Sequence, residues 1–452
     1  MDSVDPHVWN QRVGVSRNPS SDPAQDPAHD DSVHTSPTGG HRRPSGPYTR
    51  LVSAYGTLLK TPGVGRVIAA QLTARFPFGM LSLAYLLHVE HVFDSYGAAG
   101  LVLATTSIGQ AIAGPLTSRW MGSWGMRPVL VLTSLVALTS MGVVAFVTMP
   151  LWGYVVVGFL GGLAVPPVQP AVRTIYPKMV TSAQLTPLFS LDASAQELIW
   201  VAGPVITTFV ATQIGTVQAI VVAMAFLVIG GVWFIASPEL GRVRIPRSKR
   251  AFGVVMRRPS VVVATLTGLL LIGACAAVEA SVTSVFGEGS PNAGIVLAVF
   301  AIGSLIGGLA LGHRPISRNT LWTRMAIVFV GLALAVGGTD FWWLCLALVI
   351  AGAGIAPALA VMFGSVSATV KFSDTAEAYG WMGTGQLIGA AGGSAVAGFL
   401  IDLHGATGGL MVGAAMAAVG VVVPLVTKRW LPDLRGRDAS PLPDTEPVNL
   451  PT

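Results

Sequence analysis

The chain has 452 residues, of which 52% are hydrophobic and only 11% are charged, with a formal net charge of +6. Soluble globular domains carry about 25% charged residues, so this composition excludes a soluble globular protein. The apolar residues also form long uncharged runs, such as 129–149 and 217–236, which match the length a helix needs to cross a bilayer. Because a spanning segment must satisfy its backbone hydrogen bonds internally, these runs predict helices.

The two ends of the chain differ from this apolar body. Residues 1–48 contain little apolar sequence and many Pro, Asp, His and Ser residues, and they predict a disordered cytoplasmic tail. They hold no apolar core followed by a small-residue cleavage site, so a signal peptide is not expected. Residues 429–452 have a similar composition and predict a second disordered cytoplasmic tail.

Between the tails, twelve apolar segments predict twelve transmembrane helices. They cover roughly residues 64–88, 97–119, 128–149, 151–173, 185–211, 215–236, 259–285, 291–312, 320–338, 341–364, 375–402 and 406–427. They form two six-helix halves, residues 49–236 and 259–428, joined by a basic cytoplasmic linker at residues 237–258. The predicted fold class is an all-α membrane protein.

The charges of the connecting segments predict the orientation of these spans. Connections on one side contain Arg and Lys, whereas those on the other side contain no basic residue, only Glu90, Asp94, Glu288, Asp340 and Asp402. Basic residues are retained in the cytoplasm, so we expect both termini to be cytoplasmic and the protein to lie in a bacterial inner membrane. Nucleic-acid binding is excluded, because the basic residues alternate with the spans and form no single patch.

Two sequence matches predict an internal repeat. Residues 108–114 (IGQAIAG) in the second span resemble residues 302–308 (IGSLIGG) in the eighth. The triplet VAG ends at Gly203 in the fifth span and at Gly398 in the eleventh. Both matches indicate a parallel duplication of six spans.

The segment after the second span resembles the signature loop of the major facilitator superfamily, through Gly114, Arg119, Gly125 and Arg127. It departs from the family pattern at the Asp-Arg positions, which hold Gly122 and Ser123. The fifth span contains Gly203 and Pro204, similar to a motif of drug–proton antiporters. Residues 191–204 and 377–398 also resemble a group of actinobacterial permeases.

The resemblance covers residues 60–430 and implies both a fold and a class of function. The implied fold consists of two pseudo-symmetric six-helix bundles, with spans one, four, seven and ten lining a central cavity. The implied activity is secondary transport of a small molecule across the lipid bilayer by alternating access.

Charged residues inside the predicted spans need a reason, because burying a charge there costs about 3 kcal/mol. Arg75 lies near the centre of the first span, Glu197 near the centre of the fifth, and Glu279 in the outer part of the seventh. We hypothesise that Arg75 and Glu197 meet as a charge pair that couples transport to protons; a permanent salt bridge is the alternative. Glu279 is either a cavity acid that contacts substrate or proton, or a residue hydrated by an outer vestibule.

Polar residues near these charges are candidates for substrate contacts in the cavity: Gln71, Gln169 and Asp192. Gln71 lies one helical turn before Arg75, whereas Asp192 points to a different helix face from Glu197. Prolines at positions 166, 167 and 170 flank Gln169 and predict a break in the fourth span. Such breaks are tolerated where the freed carbonyls face a cavity.

Residues 88–94 (HVEHVFD) form the one cluster that resembles a metal site. His88, His91 and Asp94 are three residues apart and could share a helix face. Because no ligand set of fixed geometry is evident, we expect a solvated outer loop here and no metal.

The lead prediction is a monomeric secondary transporter without a cofactor, which exports a small organic compound in exchange for protons. The antiporter-like Gly203 and Pro204 favour export. The alternative in the same class is a proton-coupled importer or a facilitator of an organic anion, with Arg75 contacting the anion. A membrane-embedded transferase is disfavoured because no loop is long enough for a catalytic domain, and a sensor without turnover is the last alternative. No P-loop sequence supports direct use of ATP.

Overall fold

A computed structural model describes residues 55–287, 290–437 and 440–444 of the chain. Its helices are α1 (Val64–Phe93), α2 (Tyr96–Trp124), α3 (Met126–Phe146), α4 (Leu151–Leu163), α5 (Val168–Met179), α6 (Ser182–Gln213), α7 (Thr216–Ala236), α8 (Pro238–Arg242), α9 (Pro259–Phe286), α10 (Pro291–Leu311), α11 (Thr320–Ala335), α12 (Phe341–Ser367), α13 (Phe372–His404) and α14 (Ala406–Val426). Two short 3-10 helices, Val254–Arg257 and Lys428–Trp430, precede α9 and follow α14.

The helices account for twelve passages across a bilayer when α4 and α5 are counted together. Eleven of the twelve segments are long and apolar enough to span by length and composition. The remaining one, α11, has 16 residues, which correspond to about 24 Å. Within the described residues the β-structure is an isolated bridge between Lys371 and Leu442, so the prediction of an all-α membrane protein is confirmed.

The fourth span is broken where the sequence has its prolines. α4 ends at Leu163, α5 begins at Val168, and Pro166 and Pro167 lie between them. Proline has no backbone N–H and its ring clashes with the preceding helical turn, and the two adjacent prolines together interrupt the helix. Because the helix is interrupted, the faces of α5 are not fixed by continuation of the faces of α4.

An even number of passages places the start of α1 and the end of α14 on the same side of the molecule. We call this side the terminal side and the opposite side the far side. The spans alternate between them, so α6, α9 and α13 begin on the terminal side and α2, α10 and α12 end there.

Both halves are built on the same close helix contacts. In the N-terminal half Gly109 of α2 lies against the backbone of α4 at Phe159, and in the C-terminal half Gly303 of α10 lies against the backbone of α12 at Val349. An added Cβ at either glycine would collide with the facing backbone, so glycine permits this close approach. The repeat predicted around these two glycines therefore corresponds to matching helix contacts.

The second predicted match has the wrong register. Gly203 of α6 lies against Gly79 of α1, and the corresponding contact in the C-terminal half is Gly393 of α13 against Gly273 of α9. An added Cβ at Gly398 would meet no heavy atom within 4 Å. The helix contact, and not the VAG triplet, sets the equivalence, so Gly203 corresponds to Gly393.

Large apolar side chains are exposed along the outer faces of the bundle, as they are in lipid-facing helices. α3 exposes Leu135 and Phe146, and α7 exposes Ile229 and Val232. Exposed tryptophans occur near the ends of the spans on both sides, as at membrane–water interfaces: Trp124 and Trp430 on the terminal side, Trp152 and Trp342 on the far side. The molecule is therefore a multi-pass membrane protein.

The linker between the halves is folded onto the terminal side. Its Ile245 side chain is buried. The carbonyl of Arg250 accepts a hydrogen bond from Arg119 of α2, and the hydroxyl of Ser248 donates to Asp374 of α13 at 2.6 Å. The segment predicted at residues 237–258 thus contacts both halves.

The predicted N-terminal tail, residues 1–48, lies outside the described residues, as do residues 445–452. The described part of the C-terminal tail pairs its backbone with loops of the C-terminal half. Leu434 N donates to Ile316 O at 2.9 Å, and Leu442 N donates to Val370 O at 3.0 Å. The expectation of disorder after residue 429 is wrong for these residues, because their polar backbone groups are paired.

Candidate functional site

Asp192, predicted as a cavity contact, is the centre of a buried polar cluster in the N-terminal half. Its Oδ1 accepts hydrogen bonds from Gln71 Nε2 at 3.0 Å and from the Tyr176 hydroxyl at 3.1 Å. Its Oδ2 accepts from Arg173 Nε at 2.9 Å, and Arg75 Nη1 lies 3.6 Å from Oδ1. A buried carboxylate is tolerated when it is paired and hydrogen-bonded, and side chains of α1, α5 and α6 meet that condition here.

The cluster contains two arginines for one carboxylate. Arg75 and Arg173 are only 3% and 1% exposed. Among the described residues, Asp192 is the one carboxylate within 4 Å of either guanidinium. The cluster therefore carries a formal charge of +1, and an unmatched buried charge costs several kcal/mol.

Three glutamines complete the cluster with neutral oxygens. Gln71 accepts from Arg75 Nη1 at 2.9 Å, and Gln196 accepts from Arg75 Nη2 and, at 3.4 Å, from Arg173 Nη2. Amide oxygens and nitrogens are assigned from their partners, and on that basis Gln169 accepts from both Nη1 and Nη2 of Arg173. Gln169 and Gln196 are half-buried, so amide groups close one side of the cluster.

The hypothesis that Arg75 pairs with Glu197 is wrong about the partner. The carboxylate within 4 Å of the Arg75 guanidinium is that of Asp192, and no ion pair joins Arg75 to Glu197. Asp192 and Glu197 are five residues apart on α6, which turns them about 140° from each other around the helix axis. Asp192 therefore faces α1, while Glu197 faces elsewhere.

Glu197 faces the C-terminal half. Its Oε1 accepts a hydrogen bond at 2.9 Å from Ser304 of α10, and no basic group of the described residues lies within 4 Å of it. Glu279 of α9 has an exposed side chain, and no basic group of the described residues lies within 4 Å of its carboxylate. Both predicted acids are thus placed without the arginine that was predicted as a partner.

Arg173 is the residue that sequence reasoning missed. The span count placed it at the cytoplasmic end of the fourth span, where its charge fitted the alternation of basic connections. In the structure Gln169, Arg173 and Tyr176 follow one another at i, i+4 and i+7 on one face of α5. This spacing, directly after a proline break, is the signal that could have identified it.

The guanidinium of Arg173 also contacts the C-terminal half. Its Cζ lies 3.4 Å from the ring centroid of Phe363 on α12, a cation–π arrangement. Phe189 of α6 and Tyr379 of α13 pack on the same ring, with centroid distances of 6.4 and 5.9 Å. Aromatic side chains from both halves therefore cover the cluster on the terminal side.

Further contacts join the halves in the terminal part of the spans. Tyr55 and Ser190 both donate hydroxyl hydrogen bonds to Gly308 O, at 3.2 and 2.7 Å. Thr384 of α13 donates to Ala111 O of α2 at 2.6 Å. In their far parts, α6 and α13 expose large apolar side chains instead: Val205, Phe209, Val396 and Phe399.

Arg119 of the signature loop is part of this terminal contact. Its Nη1 lies 2.6 Å from Glu377 Oε2 on α13, and its Nη2 donates to the Arg250 carbonyl. Glu377 Oε1 accepts from Gly253 N at 2.8 Å. The signature loop, the linker and the C-terminal half therefore meet at one charge pair.

The other signature residues have structural roles. Gly114 packs against the backbone of Gly380 on α13, and Arg127 donates to Ser237 O at 3.1 Å. Gly125 has a φ of +92°, a conformation that favours glycine. These positions explain the motif as a helix contact and a tight turn.

The remaining motifs lie away from the charged cluster. Gly203 and Pro204 lie further along α6 than Asp192, where Gly203 is in contact with α1. His88 is buried, and its ring nitrogens lie 3.0 Å from Thr216 Oγ1 and from Val144 O. The expectation of a solvated loop is therefore wrong for His88. Within the described residues, no group of three or more His, Cys, Asp or Glu side chains is arranged to hold a metal ion.

Three solved structures similar to this chain are those of transporters. The chain superposes on the human organic anion transporter MFSD10 (TETRAN) with a TM-score of 0.63 and 16% identity, covering 80% of this chain and 98% of that one. A bacterial homologue of the iron transporter ferroportin, in an outward-facing state with soaked iron, superposes with a TM-score of 0.64 and 12% identity, covering 81% of this chain and 98% of that one. The E. coli fucose:proton symporter FucP superposes with a TM-score of 0.63 and 13% identity, covering 80% of this chain and 98% of that one. At these identities the likeness shows the fold alone.

The sequence comparison identifies the family. No curated protein sequence matches the chain. The profile of the Major Facilitator Superfamily matches residues 67–337, which is more than half of the length. The protein is thus a secondary transporter and not an enzyme, and the chain belongs to the major facilitator superfamily.

Proposed function

We propose that the protein exports a small organic compound in exchange for protons, as a monomer in a bacterial inner membrane with both termini in the cytoplasm. The secondary-transport class follows from the family, and the direction, coupling ion and orientation are the proposal. The concentration of basic residues on the terminal side supports the orientation. In this orientation the contacts between the halves close the cytoplasmic side.

The observation that carries proton coupling is the carboxylate of Glu197. It lies within a span and accepts a hydrogen bond from Ser304 of the other half at 2.9 Å. An ionised carboxylate without a cation is costly within a membrane, whereas a protonated one keeps the hydrogen bond. Movement of α6 relative to α10 breaks that bond, so proton binding and the arrangement of the halves are linked.

Glu279 is the second acid that we assign to proton or substrate contact. Its side chain belongs to α9 of the other half and is exposed. A carboxylate within a span needs a reason, and binding of a proton or of substrate supplies one.

Export is supported by Gly203 and Pro204, the pair similar to the drug–proton antiporter motif. Gly203 lies against Gly79 of α1, so α1 and α6 cross where there is no side chain between them. Small residues allow two helix backbones to approach this closely.

The test uses everted membrane vesicles that hold a proton gradient reported by a pH-sensitive dye. A panel of antibiotics, dyes, sugars and organic acids is added to the wild type and to Glu197→Gln. We expect at least one compound to dissipate the gradient in the wild type and not in Glu197→Gln. Asp402→Asn, which neutralises an exposed acid, is the matched control and should respond as the wild type does. A full response by Glu197→Gln would reject the coupling role.

The second candidate is a proton-coupled importer or a facilitator of an organic anion. The excess of one arginine in the Asp192 cluster favours it. Right-side-out vesicles with an inward proton gradient separate the two candidates. Uptake of an organic anion that collapses with a protonophore indicates proton-coupled import, and uptake that persists indicates a facilitator. If no anion is taken up, export is the remaining candidate.

A further inference from the structure

We propose that the cluster around Asp192 is the binding site for an organic anion with one negative charge, held by Arg75 and Arg173. This names the substrate class of the transporter, and it rests on the proposed function only in that the cluster is reached during the transport cycle. It applies to export and to import alike.

The charge of the cluster determines the charge of the ligand. Two guanidinium groups and one carboxylate carry a formal +1 in a site where both arginines are almost fully buried. A ligand with one negative charge neutralises the site, whereas a neutral ligand leaves the cost of the unmatched cation in place. A dianion would exceed the charge available.

The hydrogen-bond donors already bind neutral oxygens in the positions that an anion would take. The Gln169 oxygen accepts from both terminal nitrogens of Arg173, and guanidinium groups bind carboxylates through the same pairs of donors. The Gln196 oxygen bridges Arg75 and Arg173. The amide oxygens leave the extra positive charge of the cluster unmatched, whereas an anion in their place neutralises it, so an anion can displace these amides.

The burial pattern shows which side of the cluster is accessible to a ligand in this arrangement of the halves. Gln169 and Gln196 are half-buried, whereas Asp192, Gln71 and Tyr176 are fully buried. An anion that displaces the two amides leaves the hydrogen bonds of Asp192 intact. The carboxylate then keeps Arg173 oriented while the ligand is bound.

The contact with Phe363 links this site to movement of the halves. Phe363 belongs to the C-terminal half and covers the guanidinium of Arg173 on the terminal side. When the halves separate there, Arg173 loses this cation–π partner. A bound anion replaces the lost stabilisation, so the ligand passes between the site and the terminal side, in either direction, only after the ring has moved.

The experiment measures the thermal unfolding of the purified full-length protein in nanodiscs. The probes are matched pairs of a carboxylate and its neutral amide: benzoate and benzamide, salicylate and salicylamide, hexanoate and hexanamide, all at constant ionic strength. We expect at least one carboxylate, and not its amide, to raise the unfolding temperature of the wild type. In Arg75→Gln and Arg173→Gln the apparent Kd of that carboxylate should rise at least ten-fold.

Two variants separate binding from folding. Arg75→Gln leaves Arg173 and Asp192 as a balanced pair, so its unfolding temperature without ligand should not fall below that of the wild type. Arg257→Gln removes an exposed linker arginine and should bind as the wild type does. The inference is overturned if every amide acts as its carboxylate does, if no carboxylate stabilises the wild type, or if Arg75→Gln and Arg173→Gln bind unchanged.

The outcome is independent of proton coupling. Binding is measured without a gradient, and Glu197→Gln should retain carboxylate binding. Loss of coupled flux with retained binding rejects the proton-coupling proposal alone. Retained coupled flux of neutral compounds, without carboxylate binding, rejects the anion site alone.

Discussion

In the N-terminal half Gly79 of α1 lies against α6, and in the C-terminal half Gly273 of α9 lies against α13 in the same way. These glycines give a common reference for comparing the two halves. The residue four positions before Gly79 is Arg75, and the residue four positions before Gly273 is Leu269. The same place in the fold is thus charged in one half and apolar in the other.

The fourth and tenth spans give the second comparison. Gly162 packs on the backbone of α2 and Gly352 on the backbone of α10. Eleven positions after each glycine stand Arg173 and Phe363, the two residues that touch across the halves at 3.4 Å. The equivalent position therefore holds the cation Arg173 in the N-terminal half and, in the C-terminal half, the ring of Phe363 that packs on it.

The fifth and eleventh spans complete the pattern. Eleven positions before Gly203 stands Asp192, and eleven before Gly393 stands Met382. All three charges of the cluster thus have apolar counterparts. Small residues give the two halves the same backbone contacts, while the side chains between those contacts differ, so the N-terminal half carries the charge and the C-terminal half covers it.

The largest expected effect comes from breaking the charge balance of the N-terminal half. Asp192→Asn leaves two buried arginines without a carboxylate and should destabilise the protein by about 3–5 kcal/mol. Its counterpart Met382→Leu conserves volume and should cost less than about 1.5 kcal/mol. Chemical unfolding in detergent compares the two variants.

A second substitution tests the reason for that loss. Adding Arg173→Gln to Asp192→Asn leaves the formal charge at +1, as in the wild type, and should recover part of the stability. If the double variant is no more stable than Asp192→Asn, charge balance is not the cause.

The next largest effect concerns the contact that holds the halves together on the terminal side. Arg119→Gln removes a charge-assisted pair with Glu377, worth about 1.5–3 kcal/mol, and should shift the population towards separation of the halves there. Arg127→Gln changes an arginine of the same loop whose contact is with the Ser237 carbonyl, and should leave the population unchanged.

Spin labels on cysteines introduced at Trp124 and Trp430, in a background without the two native cysteines, report the separation by pulsed electron resonance. Both positions are exposed and lie on different halves. In Arg119→Gln, a larger fraction of molecules than in the parent should show a long distance between the two labels, as expected when the halves separate on the terminal side. An identical distance distribution in Arg119→Gln, Arg127→Gln and the parent would contradict the assigned role.

The correspondence of the helix contacts is tested by adding single methyl groups. Gly203→Ala and Gly393→Ala each place a Cβ against a facing backbone and should destabilise by about 1–3 kcal/mol. Gly398→Ala should not destabilise, since an added Cβ there meets open space and alanine favours the helix. Thermal unfolding of the three variants decides which glycine of α13 corresponds to Gly203. If Gly398→Ala lost as much stability as Gly203→Ala, the correspondence of Gly203 with Gly398 would be right after all.

The smallest effect is expected at the contact between the two duplicated positions. Phe363→Leu removes the aromatic face over Arg173 and should cost about 0.5–2 kcal/mol. Met362→Leu, at the neighbouring buried position, is the control. Arg173→Gln combined with Phe363→Leu in a double-mutant cycle measures the coupling, and a coupling energy of zero would mean that the ring serves only as packing.

The charged residues show how far the sequence could lead. Arg75, Glu197 and Glu279 stand out because a charge within an apolar run is rare and costly. The acidic partner of Arg75 could not be assigned from the sequence, because Asp192 and Glu197 are equally plausible until the rotation of α6 about its axis is known. Arg173 was hidden for a different reason, because a basic residue at the end of a span fits the orientation rule without any further role.

By itself the sequence determined the membrane architecture of this protein, because span length and the alternation of basic connections follow from bilayer thickness and charge retention. The proline break and the small residues were also visible in it. Only the tertiary structure decided which charges pair, because pairing depends on helix rotation and on the glycine contacts that set how helices cross. The same contacts decided that Phe363 of one half covers Arg173 of the other.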